Sequence, residues 1–115
     1  MEKNLKYGAL LSIYGTLLTD KQYETMEYYY DEDLSLGEIA ENTGISRQGV
    51  RDFIKRSEEI LDMYEEKIGL LKKAELAEKI EEYAREIKEI NQGTWSNKKV
   101  DDLANSIIET TLKLR

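Results

Sequence analysis

Residues 34–56 read LSLGEIAENTGISRQGVRDFIKR, and the spacing within this stretch decides the fold. Ser35-Leu36-Gly37-Glu38 is a capping box, in which the serine hydroxyl accepts a free N–H of the first turn and the glutamate reaches back to the cap. It opens a short helix with Ile39 and Ala40 inward, Ala40 being small where a second helix crosses. Asn42-Thr43-Gly44 closes that helix, Gly44 supplying the positive φ of a left-handed C-terminal residue. Ile45 is expected to plug the corner and Ser46 to cap the next helix. Val50, Phe53 and Ile54 would then hold this second helix against the rest of the chain, leaving Arg47, Gln48, Arg51 and Lys55 outside as one stripe. The pattern is a helix-turn-helix, and the stripe lies where a recognition helix meets base edges and phosphates.

Working outward, the whole chain reads as helix, with no sustained period of two. Upstream, Leu5, Ala9, Ile13 and Leu17 follow helical spacing, with Leu10, Tyr14 and Leu18 beside them. Gly8 and Gly15 stand two turns apart, a pair that admits a close neighbour or is merely tolerated. Thr19-Asp20-Lys21-Gln22 is a second capping box, and the helix after it carries Tyr23, Met26 and Tyr30 on one side. Asp31-Glu32-Asp33 reads as a solvated acidic turn. It lacks the glycine and distal glutamate of a calcium loop. Downstream, the recognition helix continues inward with Ser57, Ile60, Leu61 and Tyr64 to about Ile68, where Gly69 offers a stop. Its Glu58, Glu59, Asp62, Glu65 and Glu66 read as a solvated face that would repel a polyanion, so a nucleic-acid footprint should end near Arg56.

Beyond Leu70, residues Leu76, Ile80, Tyr83, Ile87 and Ile90 form a heptad-like stripe with Ala77 and Ala84 on its shoulder. Asn91-Gln92-Gly93-Thr94 is expected to break that helix. Ser96 or Asn97 would cap a last one with Val100, Leu103, Ile107, Ile108 and Leu112 as its apolar face. Trp95 is expected to pin the last helix onto the arm, the alternative being an exposed binding aromatic. The expected architecture is all-α: a helix-turn-helix bundle over residues 1–69 and a C-terminal helical arm over 70–115.

Composition narrows the function. The 115 residues hold no cysteine, histidine or proline, and 24 acids against 17 bases give a net charge of −7. Thiolate zinc sites, cysteine nucleophiles and the usual histidine base are therefore excluded. A globally basic nucleic-acid binder is excluded too, although a local basic face is not. Residues 35–57 carry four bases and three acids, and all four bases follow Ser46. No nucleotide-binding loop of the GxxxxGK or GxGxxG type is present, so no enzyme, cofactor or metal is expected. The start of the chain lacks the basic and apolar regions of a signal peptide. The longest apolar stretch, Gly8 to Leu18, is eleven residues against the roughly 20 of a membrane span. A cytoplasmic protein without membrane contact is the expectation.

A resemblance joins these readings. Thr19-Asp20-Lys21-Gln22, Tyr28-Tyr29-Tyr30, Leu34 to Ala40 and Gly44 to Val50 resemble region 4 of sigma factors. Tyr14-Gly15-Thr16-Leu17-Leu18-Thr19, Ile45-Ser46-Arg47-Gln48-Gly49-Val50 and Tyr64-Glu65-Glu66-Lys67-Ile68-Gly69-Leu70 are closer still to the YlxM family of small bacterial helix-turn-helix proteins. The likeness reaches to about Leu70, and no motif beyond it matches. It implies a sigma-region-4-like, regulatory protein of the signal recognition particle pathway. The implied partners are the particle's RNA or its GTPase, with Arg47, Gln48, Arg51 and Lys55 as the positions at stake. Gly49, where recognition helices often carry a better helix former, lowers propensity by about 1 kcal/mol relative to Ala, or admits a phosphate close to the backbone. The alternatives are an interaction module that docks on the GTPase or forms a homodimer through the arm, and a DNA-binding transcription regulator.

Overall fold

The computed structural model describes residues 3–114, all of whose regular structure is helical. Helix α1 runs Leu5–Tyr14, and a 3-10 turn at Gly15–Leu17 follows it. Then come α2 at Asp20–Tyr30, α3 at Leu36–Thr43, α4 at Arg47–Ile68, α5 at Leu70–Thr94 and α6 at Lys98–Leu114. The chain divides into two compact units, one to Leu71 and one from Lys72. Among the described residues no helix is long and apolar enough to cross a membrane.

Local chemistry sets the helix ends of the first unit. Both capping boxes form: Thr19 Oγ1 accepts from Gln22 N–H at 3.2 Å and Ser35 Oγ from Glu38 N–H at 3.1 Å, each with the reciprocal bond. The Ser35 N–H holds the Glu38 carboxyl below its ordinary pKa. Gly44 and Gly69 close α3 and α4 in the left-handed region, at φ 75° and 70°, which glycine adopts without steric cost.

Helix α4 is the spine, packed against each of α1, α2 and α3. Its Val50, Ile54, Ser57 and Leu61 are fully buried, at steps of four, three and four. They meet Leu10, Leu11, Tyr14, Leu18, Met26, Tyr29 and Ile39 in one core. Each fully buried aliphatic side chain there contributes about 1.5–3 kcal/mol.

The acidic half of α4 corrects the expectation of a solvated face. Three of its carboxylates accept tyrosine hydroxyls: Asp62 from Tyr7 and Glu65 from Tyr14, both at 2.7 Å, and Glu58 from Tyr30. Positions 58, 62 and 65 share one helical face, so the acids tie α1 and α2 to α4. The Tyr14 hydroxyl also accepts from Leu70 N–H at 3.0 Å, and Glu65 from Leu71 N–H at 3.0 Å. These two groups satisfy free N–H groups that open α5, which has no capping side chain of its own.

Several apolar residues lie elsewhere than expected. Leu5, the first residue of α1, and Leu17, in the 3-10 turn that follows Tyr14, are exposed, while Leu10 and Leu11 are buried. Tyr23 is partly exposed, and its ring lies over Gly15, where a Cβ would stand 2.6 Å from Cε2; no such neighbour approaches Gly8. Ile45 stays at the surface and lines a shallow cleft with Lys21, Asn42 and Phe53 rather than entering the core.

The second unit buries only part of its expected apolar faces. Leu76, Ile80, Tyr83, Ile87 and Ile90 are all exposed, while Ala77, Ala84 and Asn91 are buried. On α6 the buried residues are Ala104, Ile108 and Thr111; Leu103, Ile107 and Leu112 face out. Small side chains at seven-residue spacing on α5 allow close helix approach, and that closeness leaves the bulky neighbours outside. Helix α5 also runs through Gly93 to Thr94 rather than breaking there, and Trp95 is exposed instead of pinned.

The tyrosine–carboxylate ties give the fold a pH signature. The hydrogen bond to Asp62, followed by burial, pushes the Tyr7 hydroxyl from 10 up to about 12; burial and Glu65 raise Tyr14, and burial and Glu58 raise Tyr30. Because the folded state holds these protons more tightly, their contribution is complete below pH 10. It is lost as pH rises through the folded value. Urea unfolding midpoints should therefore fall between pH 10 and pH 12, and a Tyr7→Phe variant should show a smaller fall over that window.

Candidate nucleic-acid interface

The surface singled out by sequence lies on the first half of α4. Ser46 Oγ accepts from Gly49 N–H at 3.1 Å and starts the helix. With Val50 and Ile54 anchored in the core, the opposite face must look outward, and Arg47, Gln48, Arg51 and Lys55 are all exposed. Arg47, Arg51 and Lys55 follow one another at four-residue steps, and none makes an ion pair among the described residues. The Gln48 amide is different: its Nε2 donates to Asp52 Oδ1 at 2.9 Å. That contact orients the glutamine and engages the one acid on this surface.

Two further features belong to the surface. Arg56 is exposed, with its guanidinium 5.9 Å from the centre of the Phe53 ring, a cation–π distance. The Arg47 side chain lies beside Gly37 of α3, whose Cβ, were it present, would stand 3.6 Å from Nε. The sequence marked Arg56 only as a limit, because a basic residue next to an acidic run does not reveal which face it takes.

The charge order along α4 is the reverse of what its dipole favours. Residues 47–56 carry four bases and one acid, and no acid stands in the first turn. A helix N-terminus carries about half a positive charge, so cations there are unfavourable by roughly 0.3–1 kcal/mol each. Dipole and side chains thus add to one positive end on a chain that is negative overall. Such an end attracts anions, phosphate among them.

Gly49 has a packing reason. A Cβ there would lie 2.7 Å from Ile45 Cγ2 and 3.1 Å from Ser46 Oγ. The space beside this glycine is filled by the turn's own isoleucine, not left for a phosphate. Ile45 and Gly49 together set the angle at which α4 leaves the turn.

Comparison with known proteins agrees with the helix-turn-helix fold. Residues 1–105 match the model of the family UPF0122, described as "Putative helix-turn-helix protein, YlxM / p13 like". The match runs well past Leu70, where the sequence motifs end. The chain is 55% identical over 83 residues to a UPF0122 protein of Caldanaerobacter subterraneus subsp. tengcongensis, covering 70% of this chain and 71% of the relative. It is 43% identical over 103 residues to one of Clostridium kluyveri, 90% of each chain. With one of Shouchella clausii it shares 40% identity over 114 residues, 99% of this chain and 98% of the relative.

The account of Gly49 can be checked by a double-mutant cycle. Gly49→Ala in the native chain should fail to give the gain of about 1 kcal/mol that helix propensity supplies, and should lower stability. In an Ile45→Ala background the same change should recover most of that gain, as read by urea denaturation.

Proposed function

The chain belongs to the UPF0122 family of YlxM/p13-like helix-turn-helix proteins, and on that footing we propose that it is a non-catalytic nucleic-acid-binding factor. The family is described by its helix-turn-helix and not as an enzyme family. The observation that carries the proposal is the cationic first half of α4: Arg47, Arg51 and Lys55, exposed and in no ion pair among the described residues, on a capped helix. They would take phosphates, and Gln48 would reach a base edge after exchanging Asp52 for it. The signal recognition particle's RNA is the ligand to try first, since the sequence resemblance implies that pathway. A DNA duplex is the comparison, because a transcription regulator would prefer one duplex sequence over random duplex.

If three bases meet duplex phosphate, log affinity should fall against log salt with a slope of about −3. Arg51→Glu combined with Lys55→Glu should weaken binding at least tenfold and flatten that slope, as measured by fluorescence anisotropy of a labelled oligonucleotide. Unchanged affinity would remove this surface from the account.

A second reading rests on the arm. Leu76, Ile80, Tyr83, Ile87 and Ile90 of α5 are exposed, and so are Leu103, Ile107 and Leu114 of α6. Ile80, Leu103, Ile107 and Leu114 line one open groove. A stable interface takes roughly 800 Å² from each partner, and these side chains supply a continuous apolar start to one. A second copy of the hairpin would cover them by completing a four-helix bundle. Sedimentation equilibrium should then give twice the monomer mass, and Ile80→Glu with Ile107→Glu should return the chain to monomer. A monomer mass at high protein concentration would contradict dimerisation.

A further inference from the structure

The connection between α5 and α6 holds the chain's one tryptophan outside the fold, with 71% of its surface exposed. Leaving so large an aromatic in water is unfavourable. The connection is nevertheless tightly built. Buried Asn91 donates from Nδ2 to the Asn97 carbonyl at 2.8 Å and accepts the Asn97 N–H on Oδ1 at 3.0 Å. The N–H groups of Trp95 and Ser96 both donate to the Asn91 carbonyl. Ser96 takes φ 47°, a left-handed conformation rare outside glycine. Asn97 Oδ1 then accepts from Lys99 and Val100 N–H at 2.9 and 3.2 Å. The backbone on both sides of the indole is thus fixed, and the indole is displayed from it.

Two cations stand next to it. Lys98 and Lys99 are the first residues of α6, both exposed and neither in an ion pair among the described residues. They are opposed by the helix dipole in the way Arg47 is on α4. Asp101 in the same first turn, and Asp102, which lines a depression together with Lys98 and Lys99, limit the net charge there. An exposed indole, a left-handed serine and two misplaced lysines therefore fall within five consecutive residues, each unfavourable on its own.

We propose that Trp95, Lys98 and Lys99 form a second nucleic-acid contact, in which the indole stacks on an unpaired base and the lysines take the flanking phosphates. This rests on the nucleic-acid reading of the chain and assigns it a preference for single-stranded or looped segments. An unpaired base needs only one aromatic face. A lipid surface needs an apolar patch, and Gln92, Thr94, Ser96 and Asn97 around the tryptophan are polar and exposed. Two contacts on one chain raise overall affinity when both can engage.

Because Trp95 is the chain's one tryptophan, the emission of the full protein reports on this tip alone. The free protein should show the red emission of a water-exposed indole. Titration with a single-stranded oligoadenylate RNA should quench it, a duplex of equal length should not, and neither should phosphatidylglycerol vesicles. Trp95→Ala should weaken single-strand binding roughly five- to hundredfold, with duplex affinity unchanged; Lys98→Glu with Lys99→Glu should weaken it in the same direction. Quenching that persists in the Arg51→Glu, Lys55→Glu protein would support the tip even if the α4 surface failed. Oligonucleotide binding seen by anisotropy without any change in Trp95 emission would overturn the tip and leave the α4 surface standing. A blue shift with vesicles alone would overturn it in favour of lipid.

Discussion

One helix has to serve two purposes, and the division of charge along α4 is what lets it do so. Its second half turns three carboxylates toward α1 and α2, where the hydroxyls of Tyr7, Tyr14 and Tyr30 donate to them. Its first half keeps four bases at the surface. Hydrogen bonds to ionised acceptors are worth more than neutral ones, so the acids hold the bundle while the apolar face of the same helix fills its core. Without these ties, Glu58, Asp62 and Glu65 would add to an anionic surface that opposes a polyanion. With them, these acids are drawn toward the tyrosines, while the burial of Val50 and Ile54 turns the cationic start outward.

Much of the first unit was legible in its sequence, because capping is a local matter. Thr19, Ser35, Ser46, Gly44 and Gly69 act within a few residues of themselves, and each stands where its chemistry requires. The helix-turn-helix follows from those stops and from the spacing of Ile39, Val50 and Ile54. The tyrosine–carboxylate ties were not legible. Each joins residues 28 to 55 positions apart, and neither a tyrosine nor an aspartate announces its partner.

The arm shows where hydrophobicity misleads. A stripe of leucine, isoleucine and tyrosine says which residues gain from burial, not which faces of two helices approach. Ala77 and Ala84 allow the closer approach, and they are the residues buried. Trp95 was misplaced for a related reason: a large aromatic in a helix connection normally fills a gap, but here the side chain of buried Asn91 organises the connection and the indole stays outside. Of the candidate contact residues, Arg47, Gln48, Arg51 and Lys55 could be named because they are what the core spacing leaves over. The Gln48–Asp52 bond and the Ile45–Gly49 contact needed coordinates.

Nucleic acid is proposed to meet the cationic start of α4. This contact is tested most directly by mapping amide chemical-shift changes on the isotope-labelled full chain as an unlabelled RNA is added. The account predicts that the largest changes fall between Ser46 and Arg56, with the acidic stretch from Glu58 to Glu66 little affected. Saturable binding that leaves residues 46–56 unmoved would contradict it.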